Sequence, residues 1–219
     1  MIDDRLGLFI VADGVGGHFG GEVASALAVE TVREVVSHPK AMEFRPKDVL
    51  TQAYEEASHR IYDRATQEPK LNGMGTTMVM SYVRDNRIFI ANVGDSRCYL
   101  YRKPYLWQLT EDHSLVNEQI RLGMMTEEQA RRMIGKNVIT RSVGFERDAF
   151  PDLIEREIST GDIFLFCSDG LSGMVPDNEI CSIFNLNPVE KAVPILIQKA
   201  LDHGGEDNVT VLVVNCQDG

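Results

Sequence analysis

Apolar and polar positions follow two rhythms along this chain. Short runs rich in β-branched and aromatic residues, each bounded by turn residues, predict strands at roughly 6–12, 76–83, 87–93, 96–101, 105–109, 153–158, 162–167 and 208–215. Arg84-Asp85-Asn86 separates the second run from the third and predicts a tight hairpin. Most of these strands succeed one another with no helix between them, so much of the sheet structure is expected to be antiparallel. Helical periodicity appears in three longer places. Ala24, Leu27, Ala28, Thr31 and Val35 share one face after Gly21. Leu50, Ala53, Tyr54, Ala57, Ile61 and Ala65 form a second stripe. Val189, Ala192, Val193, Leu196, Ile197 and Ala200 form a third, in which Pro194 predicts a bend or a late start. Two early helices and one late helix around a strand-rich middle predict an α+β fold, helices packed on antiparallel sheets. Residues 114–140 are polar, with a short helical pattern from Thr126 through Met133, and read as an insertion over the surface.

Composition narrows the class. The 219 residues, with 25% charged and 43% hydrophobic side chains, suit one globular domain. A net charge of −11 opposes a phosphate backbone and argues against nucleic-acid binding. No apolar run approaches the roughly 18–20 residues of a membrane span, and the start lacks a secretory-signal pattern. Cys98, Cys167, Cys181 and Cys216 are widely spaced without a C-x-x-C pair, which suits a reducing cytoplasm and a role as small core residues.

The chemical signal is an apolar strand that runs into an aspartate. Leu8-Phe9-Ile10-Val11-Ala12 leads to Asp13-Gly14, and Phe164-Leu165-Phe166-Cys167-Ser168 leads to Asp169-Gly170. Asp207-Asn208 opens the last predicted strand, Asp95 follows Asn92-Val93-Gly94, and Asp112-His113 follows Leu109-Thr110-Glu111. Carboxylates gathered at the rim of a core are tolerated when cations neutralise them. Oxygen ligands without histidine or thiolate select hard ions, Mg²⁺ or Mn²⁺ over Zn²⁺. An Asp-Gly alone is usually just a turn, and spacing by itself stops at a metal-site candidate. Other chemistries fail on named positions. Phe19 stands where G-x-G-x-x-G needs its third glycine, Asn137 follows Gly135-Lys136 where a Walker loop needs Ser or Thr, and Gly173 stands where C-x₅-R from Cys167 needs arginine.

Val11-Ala12-Asp13-Gly14-Val15-Gly16-Gly17-His18 resembles the signature of the bacterial metal-dependent serine/threonine protein phosphatases of the protein phosphatase 2C (PPM) family. Gly75-Thr76-Thr77, Asn92-Val93-Gly94-Asp95-Ser96-Arg97 and Leu109-Thr110-Glu111-Asp112-His113-Ser114 follow in family order. So do Ile139-Thr140-Arg141-Ser142-Val143-Gly144, Cys167-Ser168-Asp169-Gly170-Leu171 and Glu206-Asp207-Asn208-Val209-Thr210, so the likeness covers nearly the whole chain. The resemblance implies two stacked, mostly antiparallel sheets flanked by helices, with a two-metal site in the cleft at one end. It implies Asp13 bridging two Mn²⁺ or Mg²⁺ ions, the Gly14 carbonyl serving the second, and Asp169 and Asp207 holding the first. Asp112 resembles the ligand of a weaker third ion, and His18 the histidine proposed as general acid, with a structural role for His18 equally open. Residues 114–140 match the flap beside the cleft. The implied reaction is hydrolysis of phosphoserine or phosphothreonine in proteins by a metal-bound water, opposing a Ser/Thr kinase, in a monomeric cytoplasmic enzyme. On physical grounds His113 is expected to be structural, and Arg97 and Arg141 to form ion pairs.

The chain departs from the pattern at its start. Family members carry one more strand there, with a phosphate-binding arginine and an Asn-Glu-Asp-like stretch, whereas twelve residues precede Asp13. Asp3, Asp4 and Arg5 read as a turn before the first strand, whose neighbour is expected to be left unpaired. The alternative function is therefore a catalytically impaired phosphatase-like module that binds phosphoproteins or a regulatory partner.

Overall fold

Strands that read as unbroken apolar runs need cover on both faces, and the architecture supplies it. The computed structural model describes residues 1–16, 18–126, 129 and 138–217, and for His18 the backbone alone. One sheet holds β1 (Ile2–Asp3), β2 (Leu8–Val15), β3 (Gly75–Arg84), β4 (Arg87–Val93) and β7 (Asp152–Glu157) in the order β1-β2-β3-β4-β7. The other holds β5 (Arg97–Arg102), β6 (Tyr105–Gln108), β8 (Ile163–Cys167) and β9 (Val211–Asn215) in the order β6-β5-β8-β9. Every pairing is antiparallel. Helices α1 (His18–Ser37) and α2 (Pro46–Gln67) lie on the first sheet. Helices α5 (Asp177–Leu186) and α6 (Val189–Asp202) lie on the second, while α3 (Leu115–Arg121) and the single turn α4 (Asp169–Ser172) join elements.

Three apolar layers result. Leu8 and Ile10 of β2 pack beneath α1 and α2, while Phe9 and Val11 pack between the sheets against Phe164 and Phe166 of β8. Leu165 and Cys167 face α5 and α6. Each fully buried side chain of this size contributes about 1.5–3 kcal/mol. Period-2 alternation puts Asp13 on the same face as Phe9 and Val11, so it prolongs the inter-sheet layer to its rim. Buried Tyr54 of α2 ties two strands together, its hydroxyl lying 2.6 Å from the Met78 carbonyl and 3.0 Å from that of Ala91.

The α+β sandwich matches the expectation, and details differ. The Asp85-Asn86 hairpin forms with both residues at positive φ, 54° and 57°. β2 continues through Asp13-Gly14 to Val15, so that dipeptide is strand rather than turn. The last strand starts at Val211 rather than 208. α6 starts at Val189 with Pro194 inside it, not after the proline. The edge of β2 is not wholly bare: β1 pairs Ile2 with Phe9 and Asp3 with Leu8, and the Met1 ammonium donates to the Ile10 carbonyl at 2.7 Å. In the 114–140 segment, α3 buries none of its residues, as a surface insertion requires. The helical pattern from Thr126 through Met133 lies largely outside the described residues.

Candidate metal centre

Asp13 is fixed by the ladder it sits in. It is opposite Thr77 of β3, whose hydroxyl accepts the Asp13 N–H at 3.3 Å, and the Thr76 hydroxyl donates to the Asp13 carbonyl at 2.9 Å. Gly14 is required by close packing. A methyl there would fall on the Gly21 carbonyl of α1, so two glycines let the helix press its start against the end of the strand.

Asp169 and Asp207 come from the opposite sheet. Asp169 opens α4 directly after β8, and a methyl on Gly170 would collide with the Asn208 carbonyl. The buried Ser168 hydroxyl donates to that same carbonyl at 3.1 Å and accepts the Thr210 N–H at 3.0 Å. These contacts hold the Asp207 loop beside Asp169. From the first sheet, β4 ends at Val93 and the chain crosses through Gly94-Asp95-Ser96 into β5. The Ser96 hydroxyl lies 2.7 Å from that of Thr77, which joins the crossing to the strand beside Asp13.

Like charge and burial act on three of these carboxylates. Burial, then the charges of Asp169, Asp207 and Asp95, push Asp13 up to about 7. Burial, then Asp169 and Asp112, push Asp95 up to about 7. Burial and Asp207 raise Asp169. One guanidinium stands behind the group. Arg97 forks onto Asp112, with Nη2 2.6 Å from Oδ2, and its charge partly offsets the upward shifts of Asp95 and Asp169. His113, buried and neutral because burial lowers its pKa, accepts the Gly94 N–H on Nδ1 at 3.0 Å and lies 3.1 Å from Asp152 through Nε2. It pins the turn that carries Asp95. A desolvated cluster of anions with hydroxyl and carbonyl oxygens, and among the described residues no thiolate or imidazole aimed into it, has the chemistry of a hard-cation site.

Known proteins decide what kind of site this is. The family model for Protein phosphatase 2C matches residues 3–209. The chain belongs to the protein phosphatase 2C family. It is 40% identical over 215 residues to the serine/threonine phosphatase Stp of Listeria monocytogenes, covering 96% of this chain and 85% of that one. It is 34% identical over 209 residues to the protein phosphatase PhpP of Streptococcus pneumoniae, covering 95% and 85%. The crystal structure of the serine/threonine phosphatase PstP from Mycobacterium tuberculosis superposes with a TM-score of 0.89 at 34% identity, covering 96% and 88%. A crystal structure of the PstP catalytic domain in complex with two manganese ions superposes at 0.85 with 35% identity, covering 96% and 88%. This protein phosphatase 2C member is a metal-dependent protein serine/threonine phosphatase.

The residues present fit such ions. Asp169 Oδ1 is buried without a hydrogen-bond partner, an open acceptor that a cation would satisfy. Among the described residues, no three acidic, histidine or cysteine side chains close on one point as a finished cage. The carboxylates of Asp13, Asp169 and Asp207 are instead coupled through space from opposite sheets. Asp112 sits at the edge of this group with both oxygens engaged by Arg97 and one by Gln108 at 3.0 Å. Arg141 forms the expected ion pair, to Asp152 at 2.9 Å. The side chain of His18 lies outside the described residues. Asp95 is the member that sequence reasoning left unassigned, although its place after Asn92-Val93-Gly94 obeys the strand-then-aspartate rule that singled out the others. Among the described residues, no helix is long and apolar enough to cross a membrane.

Proposed function

We propose that Asp13 bridges two Mn²⁺ or Mg²⁺ ions, that Asp169 and Asp207 hold the first, and that the Gly14 carbonyl serves the second. The observation that carries this reading is that the charges of Asp169 and Asp207 act on Asp13, and that of Asp207 on Asp169, beside an orphaned Asp169 oxygen. When bound, the ions supply the positive charge that a phosphate dianion requires and activate the attacking solvent molecule. The carboxylates set where that charge sits, and with no counter-ion they repel a phosphate monoester. Asp112 is the ligand for a weaker third ion, which must compete with the Arg97 fork.

Protonation of the departing Ser or Thr alkoxide is assigned to His18, at the start of α1, or to a solvent molecule. The two differ in their outcome. p-Nitrophenolate leaves without a proton, so His18→Ala lowers turnover on a phosphopeptide and spares p-nitrophenyl phosphate only if the imidazole is the acid. The substrates are phosphoserine and phosphothreonine proteins made by an opposing Ser/Thr kinase. All four cysteines are free, which supports a reducing, cytoplasmic setting.

The deciding experiment is hydrolysis of p-nitrophenyl phosphate with Mn²⁺, with and without chelator, beside an Asp169→Asn control. Mn²⁺-dependent release above that control supports the assignment. Release equal to the control favours the phosphoprotein-binding module instead.

A further inference from the structure

A cavity of about 570 Å³ opens beside the carboxylate group, at the same end of the first sheet. Two strands enter both places. β2 carries Asp13 and then lines the cavity with Val15 and Gly16, while β4 lines it with Val93, two residues before Asp95. The opposite wall is the segment 139–150, including Phe145, Glu146 and Phe150.

That wall is anchored. Val143 and Thr76 exchange both backbone hydrogen bonds, at 3.0 and 2.8 Å. The Ser58 hydroxyl accepts the Gly144 N–H and donates to the Glu146 carbonyl, each at 2.9 Å. Asp148 pairs with His59 at 3.0 Å. On this held backbone, Phe145 and Phe150 stand 64% and 65% exposed, although Val143 and Ala149 between and beside them are buried. Two phenyl rings kept in water on a fixed frame gain strongly from an apolar partner. The charges are nearly spent: Arg141 is paired with Asp152 and Asp148 with His59, whereas Glu146 has no ion pair among the described residues.

We propose that this cavity is a substrate subsite that takes a large apolar side chain two or three residues from the phosphorylated Ser or Thr, with a neighbouring Lys or Arg held by Glu146. The proposal rests on the phosphatase reading and adds a sequence preference to it. An extended peptide advances about 3.3 Å per residue, so positions two or three away lie about 7–10 Å from the phosphate. That matches the step along β2 from Asp13 to Val15. The occupant is the substrate itself because the cavity shares the ends of β2 and β4 with the site that must receive its phosphate, and the unpaired Glu146 carboxylate in its lining has the sign that a basic flanking residue complements.

The test compares the wild type with Phe145→Ala/Phe150→Ala and with Glu146→Gln. Fluorescein-labelled peptides built on a non-hydrolysable phosphonate analogue of phosphothreonine, carrying Leu or Ala, and Lys or Gln, at each position two or three residues either side of it, are titrated by anisotropy in Mn²⁺. Hydrolysis of p-nitrophenyl phosphate is measured alongside. The wild type is expected to bind the Leu peptide about tenfold tighter than the Ala peptide at one of these positions. The double variant is expected to lose that ratio, and Glu146→Gln to lose a two- to fivefold Lys preference at about the surface ion-pair scale. p-Nitrophenyl phosphate turnover is expected to be unchanged, since the altered side chains lie outside the carboxylate group. Equal affinity for Leu and Ala peptides in the wild type, or a ratio that survives the double variant, overturns the subsite. Failure of the wild type to hydrolyse p-nitrophenyl phosphate instead strikes the catalytic reading, and the binding ratio still decides the cavity.

Discussion

Arg97 grips Asp112 with Nε 2.9 and 3.1 Å from its two oxygens and Nη2 2.6 Å from one of them. The same guanidinium donates through Nη1 to the Tyr99 hydroxyl at 2.8 Å, and that hydroxyl donates to Asp177 at 3.0 Å. A single cation thus joins the edge of the carboxylate group to the first turn of α5. Arg97 and Asp112 expose only 22% and 17% of their side chains, so the pair is mostly shielded from solvent.

Removing one partner of such a pair leaves a poorly solvated charge behind. Arg97→Met is expected to destabilise the protein by about 3 kcal/mol in urea unfolding. Arg97→Lys is expected to recover less than half of that, because an ammonium cannot fork onto a carboxylate. A lysine variant as stable as the wild type would show that the charge matters and the fork does not.

The pH dependence of the metal-free protein follows from Asp13 and Asp95, both pushed up to about 7 by burial and like charge. A carboxyl whose pKa is higher folded than unfolded binds protons more tightly in the native state. Its contribution is complete below the unfolded pKa near 4 and is lost as pH rises through about 7. Thermal unfolding in chelator is therefore expected to show a falling midpoint between pH 5 and pH 8. A midpoint that rises across that window would contradict the coupling.

Neutralising one member of the group reverses two readings at once. Asp13→Asn is expected to raise the midpoint of the metal-free protein at pH 8 and to abolish most of the rise that Mn²⁺ gives the wild type. Activity is expected to fall at least about 100-fold if Asp13 serves both ions as proposed. Calorimetric Mn²⁺ affinity equal to that of the wild type would remove Asp13 from the ligand set.

Asp112→Asn separates the proposed outer ligand from the proposed inner ones. First-ion affinity measured by calorimetry is expected to be retained while turnover slows, because Asp112 stands at the edge of the group and is held by Arg97.

Packing can be tested without touching a ligand. Gly170→Ala places a methyl on the Asn208 carbonyl, which must move and carry the Asp207 loop with it. A stability loss of about 1–3 kcal/mol is expected, together with weaker Mn²⁺ binding by calorimetry. Unchanged metal affinity would show that the loop is placed by other contacts.

Much of this was legible in the chain, for physical reasons that differ by element. β4 was expected at 87–93 and spans Arg87–Val93, because its apolar run is closed by positive-φ residues on one side and by Gly94 on the other. The α2 stripe from Leu50 to Ala65 was unambiguous, since all six of its residues are buried. α5 escaped notice because its buried residues, Ile180, Ile183 and Phe184, span little more than one turn. The extension of β2 through Asp13-Gly14 was hidden because glycine there reads locally as a turn. What permits a strand is Gly21, seven residues on and packed across it. Asp169 and Asp13 were each visible as strand-end carboxylates, but their nearness depends on the stacking of two sheets, which no local pattern encodes. Asp95 was left out for the same reason.

The acids of the site are divided between the two sheets, Asp13 and Asp95 from one and Asp169 and Asp207 from the other. Elsewhere the halves of the sandwich are glued by oily side chains; along this one seam like charges face each other across them. Loading the enzyme therefore also fastens a clasp, and scarcity of divalent ions should be felt first as fraying of that seam, in faster amide exchange near Val15 and Val211, before any loosening at the far end.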